Sequence, residues 1–265
     1  MLIDQIKQLE QLSDLERFQL IIHWLRQMGI KPKLHKYATG TNIIVPTLQR
    51  PYYGLASHFD TVYQTPGAND NCSAIVVCLA VLRKLQASPF HRLGLQVFFF
   101  DQEEVGLKGS QAWIRKYGIR RMKGLLNLEM LGQGNHFALW PLTASHSGTL
   151  LQAFEQTATE QKISCDRYDR IVMNTADHAA FRKAGLEDCF TLTCISDQDR
   201  EVAYHYYKAL EFDVSPKTLM EIMERAPIFK HYHQPSDLSD HLSEESLQRA
   251  VDAIWATFQR LDDEA

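Results

Sequence analysis

Residues 93–100 read LGLQVFFF and run directly into Asp101-Gln102-Glu103-Glu104. The run is short and barely alternates between apolar and polar. That is the pattern of a strand covered by protein on both faces, as central strands of parallel sheets are. A parallel sheet requires crossover helices, so this one segment predicts an α/β chain. It also places three acids at the carboxyl end of a buried strand.

The rest of the chain supplies the helices. Residues 2–29 repeat apolar positions at helical spacing, with Phe18, Ile21, Ile22, Leu25 and Met28 in the second half, and stop at Gly29. They predict an amphipathic helix or helix pair. Short strand-like runs follow at 33–37, 42–45 and 52–58, then a buried helix at 74–85. After the central strand come a helix near 111–117, strands at 124–131 and 137–142, and a helix at 148–161. A helix at 177–184, a strand at 189–195, a helical stretch at 216–225 and a last helix at 244–261 with Ser243 as N-cap complete the chain. This order predicts a single-domain, three-layer α/β sandwich over 1–265, its mixed, mostly parallel sheet flanked by helices. Residues 196–230 are the segment expected to leave the core as an insertion or cap.

A formal net charge of −4 provides no global positive field for nucleic acid or anionic lipid. No apolar stretch approaches the roughly 20 residues that span a bilayer. The opening residues, Met1 to Lys7, lack the greasy core of a signal peptide, so the expected location is the cytoplasm. Five scattered cysteines without a CxxC pair suit reduced, buried thiols rather than disulfides or a thiolate zinc site. Cys72 has no identifiable base and reads as a buried thiol. The Tyr204, Tyr206 and Tyr207 cluster reads as packing.

Ligands of open α/β sheets bind outside the carboxyl ends of the strands, and polar residues gather there in this chain. His58 and Asp60 follow a strand, Asp70 precedes a helix, Glu103 and Glu104 end the central strand, Glu129 ends another, and His233 lies in a late loop. Imidazole and carboxylate donors without thiolates suit Zn²⁺, with Co²⁺ or Mn²⁺ as substitutes, in a hydrolytic site. A pair of ions needs a shared carboxylate, and Asp70 is the candidate.

Six blocks carry a resemblance: SHFDTV at 57–62, GANDNCSA at 67–74, DQEEVGLKGS at 101–110, NLEMLG at 127–132, ADHAAF at 176–181 and YHQPSD at 232–237. Together, and in this order over roughly 50–240, they resemble the M28-type co-catalytic zinc aminopeptidases, a family related to glutaminyl cyclases. The resemblance implies two zinc ions per chain, one held by His58 and Glu129, the other by Glu104 and His233, with Asp70 between them. It implies Glu103 as general base, with Glu103 and Glu104 pointing opposite ways as neighbours leaving a strand do. Asp60 looks like the carboxylate that fixes the His58 tautomer, and Asp237 like an orienter of the His233 loop. Asp177 and His178 either touch substrate or only cap a helix, with His178 read as packing or hydrogen-bonding rather than binding metal, while His231 reads as a loop residue. Family members commonly carry aspartate where this chain has Glu129. The extra methylene is either absorbed by a shifted strand or binding mode, or it weakens one ion and leaves an effectively mononuclear site.

The resemblance therefore implies a metal-dependent exopeptidase that cleaves the N-terminal peptide bond of peptides with a free α-amine, using metal-activated water. The alternatives are a glutaminyl-cyclase-like acyltransferase with one zinc and an inactive binding protein on the same scaffold.

Overall fold

The computed structural model describes residues 1–170, 175–212 and 214–265. Eight strands form one sheet: β1 (Lys33–Lys36), β2 (Thr41–Val45), β3 (Tyr52–His58), β4 (Gly94–Phe100), β5 (Met122–Leu128), β6 (His136–Trp140), β7 (Cys165–Arg167) and β8 (Cys189–Ile195). Their spatial order is β1-β2-β4-β3-β5-β8-β6-β7. The central run β4-β3-β5-β8 is parallel throughout, while β2 and β6 flank it antiparallel. The expected mixed, mostly parallel sheet is what the chain forms.

Every residue of β3, β4 and β8 is buried, because helices cover both faces. Alternation along β4 sends Leu95, Val97 and Phe99 to one core and Phe98 and Phe100 to the other. The first core is built with α1 (Leu2–Leu9), α2 (Asp14–Gln27), α3 (Ser73–Ala87), α5 (Thr149–Glu160) and α9 (Glu244–Asp263). The second is built with α4 (Lys108–Tyr117) and α6 (His178–Lys183). Ser243 caps α9, its hydroxyl accepting from the Ser246 N–H at 3.3 Å. Gly29, with φ 73°, ends the first helix pair.

Two elements escaped the sequence reading. β7 is only three residues long, too short for alternation to register. Helix α7 (Asp197–Glu211) fills the first half of the 196–230 segment, followed by α8 (Pro216–Met223) and a 3₁₀ turn at Pro227–Phe229. Among the described residues no helix is long and apolar enough to cross a membrane.

Candidate metal centre

His58 is the last residue of β3, paired with Phe100 of β4 and 1% exposed. Its Nδ1 N–H donates to the Asp60 carbonyl at 3.0 Å, which leaves Nε2 as a lone-pair donor facing the cavity. The Asp60 carboxylate lies farther off, at 3.5 Å from Nδ1. It accepts instead from the N–H groups of Glu103 at 2.9 Å and Glu104 at 3.0 Å. The tautomer-fixing contact expected of the Asp60 side chain is thus made by its backbone, and the side chain organises the neighbouring turn.

That turn corrects the expected opposition of Glu103 and Glu104. β4 ends at Phe100, and Gln102 has φ 59°, so the strand alternation has already stopped. Both glutamates line the same cavity, held there by the two Asp60 oxygens.

Asp70 lies in the turn Ala68–Cys72 ahead of α3. Gly67 opens the turn at φ 64°, where an added Cβ would lie 2.3 Å from Thr61 Cγ2, so the turn needs glycine. The Asp237 carboxylate accepts from the N–H groups of Asn69 and Asp70 at 2.9 and 3.1 Å. Asp237 therefore fastens the Asp70 turn to the loop that carries His233.

The Asp70 carboxylate is shared between two imidazoles. Oδ1 is 3.2 Å from His58 Nε2, and Oδ2 is 3.2 Å from His233 Nε2. Glu129 Oε2 lies 3.3 Å from His58 Nε2, and Glu104 Oε2 lies 3.3 Å from His233 Nε2. Two donor groups result, His58–Asp70–Glu129 and Asp70–Glu104–His233, each with its ligand atoms within 4.8 Å of one another. Bonds of about 2.0–2.1 Å to a tetrahedral zinc put neighbouring donor atoms about 3.3 Å apart, which the four imidazole–carboxylate separations match.

Glu129 follows the end of β5, and two asparagines hold it. Asn71 Nδ2 donates to Oε2 at 2.7 Å, and Asn127 Nδ2 donates to Oε1 at 3.0 Å. Neither asparagine was assigned a role from the sequence. Asn127 sits two residues before Glu129, which is the spacing of one strand face, and that was the available signal. With these contacts the longer side chain brings its Oε2 to His58.

The donor set fits a cation. Glu104 Oε1 is buried with no hydrogen-bond partner, and the 3.2 and 3.3 Å approaches of Asp70 Oδ2 and Glu104 Oε2 to His233 Nε2 do not have hydrogen-bond geometry, an arrangement that costs free energy unless something else binds these atoms. Burial pushes the Glu103, Glu104 and Glu129 carboxyls above their ordinary range, with repulsion from Asp70 adding to it at Glu104 and Glu129, and from Glu129, Asp177 and Glu104 at Glu103. Burial alone would lower the His58 pKa, but Glu129, Asp60 and Asp70 hold it well above its usual value. His233 is raised to about 9 against its own burial by Asp70 and Glu104. The pocket favours positive charge.

Of the two readings of Asp177 and His178, substrate contact or helix cap, the structure gives the second: neither lines the cavity, and Asp177 is the N-cap of α6. Both are fully buried at the start of α6, and burial pushes Asp177 up to about 7. His178 bonds Thr191 Oγ1 at 2.7 Å and meets the Trp140 ring edge-on at 5.3 Å, so it supports the cavity wall from behind. Cys72 is buried, its thiol pushed up to about 11 by that burial. Residues 196–230 contribute Asp199, Val202, Ala203, Met223, Ala226 and Ile228, among others, to the cavity lining.

Fold and donors define a zinc-peptidase-like site, and comparison gives the family. The model of peptidase family M28 matches residues 42–258, and the chain belongs to that family. Aminopeptidase YwaD of Bacillus subtilis is 28% identical over 207 residues, covering 76% of this chain and 39% of that protein. The chain thus spans about two fifths of that relative's length. The fold is similar to a zinc aminopeptidase from Bacillus subtilis (TM-score 0.63, 23% identity, 84% of this chain, 50% of that chain). It is similar also to Porphyromonas gingivalis glutaminyl cyclase (TM-score 0.69, 19% identity, 99% of this chain, 96% of that chain).

Proposed function

We propose that the chain is a two-zinc aminopeptidase that hydrolyses the first peptide bond of substrates with a free α-amine. The observation that carries this reading is the division of Asp70, one oxygen toward His58 and the other toward His233. His58, Asp70 and Glu129 would hold one ion, and Asp70, Glu104 and His233 the other. When bound, zinc supplies Lewis-acid polarisation of the scissile carbonyl and lowers the pKa of water.

The chain's own groups do the rest. Glu103, beside the donors, accepts the proton of the attacking water and returns it to the departing amine. Burial raises its carboxyl above the ordinary range, with repulsion from Glu129, Asp177 and Glu104 adding to it.

Glu103→Gln should retain zinc and lose roughly 10²–10⁴-fold in kcat, read by metal analysis alongside turnover of an aminoacyl anilide. Near-normal turnover would remove Glu103 from the base role.

A second reading, a glutaminyl-cyclase-like acyltransferase, is favoured by the nearly complete mutual coverage with that fold. The full donor set at His58 and Glu129 favours the peptidase. An amino-acid anilide offered beside an N-terminal glutaminyl peptide separates them: the peptidase releases amine from the first, and the cyclase forms pyroglutamate from the second.

A further inference from the structure

Helices α1 and α2 precede the residues that match the M28 family, yet they carry a link to the metal centre. Arg17, the fourth residue of α2, is 0% exposed, and it is the one buried arginine among the described residues. Its guanidinium donates to three backbone carbonyls: Nε to Leu9 at 3.2 Å, Nη1 to Phe59 at 3.4 Å and Nη2 to Pro66 at 2.5 Å. Leu9 ends α1, Phe59 follows His58 directly, and Pro66 leads into Gly67 and the Asp70 turn. One buried cation therefore ties the strand end that carries His58 to the turn that carries Asp70. The two side chains approach to 3.2 Å. An added Cβ at Gly67 would lie 3.0 Å from Arg17 Nη1, so the bare glycine also leaves room for the guanidinium.

Packing alone does not call for arginine at this position. Burying a guanidinium carries a heavy desolvation cost, which an apolar side chain of similar length avoids. Arginine supplies something else, a planar fork of donors that holds separate segments at a fixed spacing. The rest of the helix pair grips the same region. Asp14 Oδ1 accepts from the Thr61 N–H at 3.2 Å, and the Gln11 N–H donates to the Pro66 carbonyl at 3.2 Å. The Glu10 carboxylate accepts from the Ser239 N–H at 2.7 Å and the Ser239 hydroxyl at 3.0 Å, two residues past the Asp237 that fastens the Asp70 turn.

We propose that Arg17 is a positioning residue: it bonds no ligand atom, and it sets the spacing of His58 and Asp70 through the Phe59 and Pro66 carbonyls. The inference rests on the two-zinc reading for its effect on metal binding, while the hydrogen bonds that carry it are independent of that reading. Positioning and charge make opposite predictions. Loss of a nearby cation by itself strengthens zinc binding, whereas loss of a positioning residue weakens it.

The test compares the wild type with Arg17→Lys, which keeps the charge and loses the fork, and with Arg17→Met, which loses both. Methionine leaves no buried ammonium, so it keeps the proposal testable should the lysine variant fail to fold. In the metal-free proteins, hydrogen exchange at the Thr61, Asn69 and Asp70 amides should quicken in both variants by about tenfold or more beyond any change at α9. The zinc Kd, read by competition with a chelator, should rise roughly 10–100-fold in both. Exchange that quickens no more at these amides than at α9 overturns the proposal whatever the zinc result. Faster exchange with zinc held as tightly as in the wild type, or more tightly, leaves Arg17 a stabilising residue only and overturns its positioning role. A wild type that itself binds no zinc overturns the two-zinc reading; faster exchange in the variants then still supports Arg17 as the holder of His58 and Asp70.

Discussion

Asp60 shows how much one carboxylate can organise without touching substrate. Its carbonyl sets the ring of His58, and its two side-chain oxygens hold the N–H groups of Glu103 and Glu104. Asparagine at this position keeps the shape and the carbonyl but turns an NH₂ group toward one of those N–H donors. Asp60→Asn should therefore lose roughly 10–100-fold in zinc affinity or in kcat, measured by competition with a chelator and by steady-state kinetics. Wild-type values in both would show that the turn holds without it. Asp60 was legible because it stands two residues past a predicted ligand. Its actual contacts were not, because they depend on the left-handed Gln102 that ends the strand alternation. Asn71 and Asn127 were missed for a related reason. An amide that clamps a carboxylate looks in sequence like any buried polar residue until the carboxylate's position is known.

At the scale of elements, the strands and helices that feed both cores were legible from periodicity, and β8 was bounded correctly at both ends. α7 was not, because DQDREVAYHYYKALE mixes acids and tyrosines around the helix, and only Asp199, Val202 and Tyr206 of it are buried. Its helical start is written locally, in the capping box of Ser196 and Asp199. α6 illustrates a different limit. The sequence leaves its first residue, His178, between a substrate contact and a helix-start packing role, and burial behind Trp140 pushes its pKa down to about 3. In the unfolded chain the same ring titrates near 6.5. Between these values the unfolded state binds the additional proton, so this group's contribution to stability is full above pH 6.5 and falls as pH drops. The fall is about 1.4 kcal/mol per pH unit. His178→Gln should lose that component, giving a shallower decline of stability from pH 6.5 toward pH 4 than the wild type. Denaturant unfolding of both proteins in excess chelator measures the slopes without interference from metal release. Equal slopes would show that the buried ring accepts its proton within the fold.

For the whole molecule, the donor groups are long-range cross-links. His58, Asp70, Glu104, Glu129 and His233 come from three strand ends, the turn before α3 and a loop late in the chain, so no short fragment contains a complete set. An unfolded chain cannot present them together, and any zinc bound only by the native state adds RT ln(1 + [Zn]/Kd) to stability at each site, about 2.7 kcal/mol at a hundredfold excess over Kd. Chelation should lower the unfolding midpoint, and restoring zinc should raise it continuously with the logarithm of free metal. The slope counts ions. With both sites filling, unfolding free energy should rise by about two RT per unit of ln[Zn] at saturating buffered zinc, and by about one if Glu129 leaves the His58 side too weak to bind. Its two amide clamps and its 3.3 Å approach to His58 favour two. Glu129→Gln, which keeps the length of the side chain but halves its acceptor oxygens, should then reduce the slope from two to one. The Asp70–Glu104–His233 site would remain occupied. A wild-type slope of one, unchanged in the variant, would make the centre mononuclear and move the balance toward the cyclase reading.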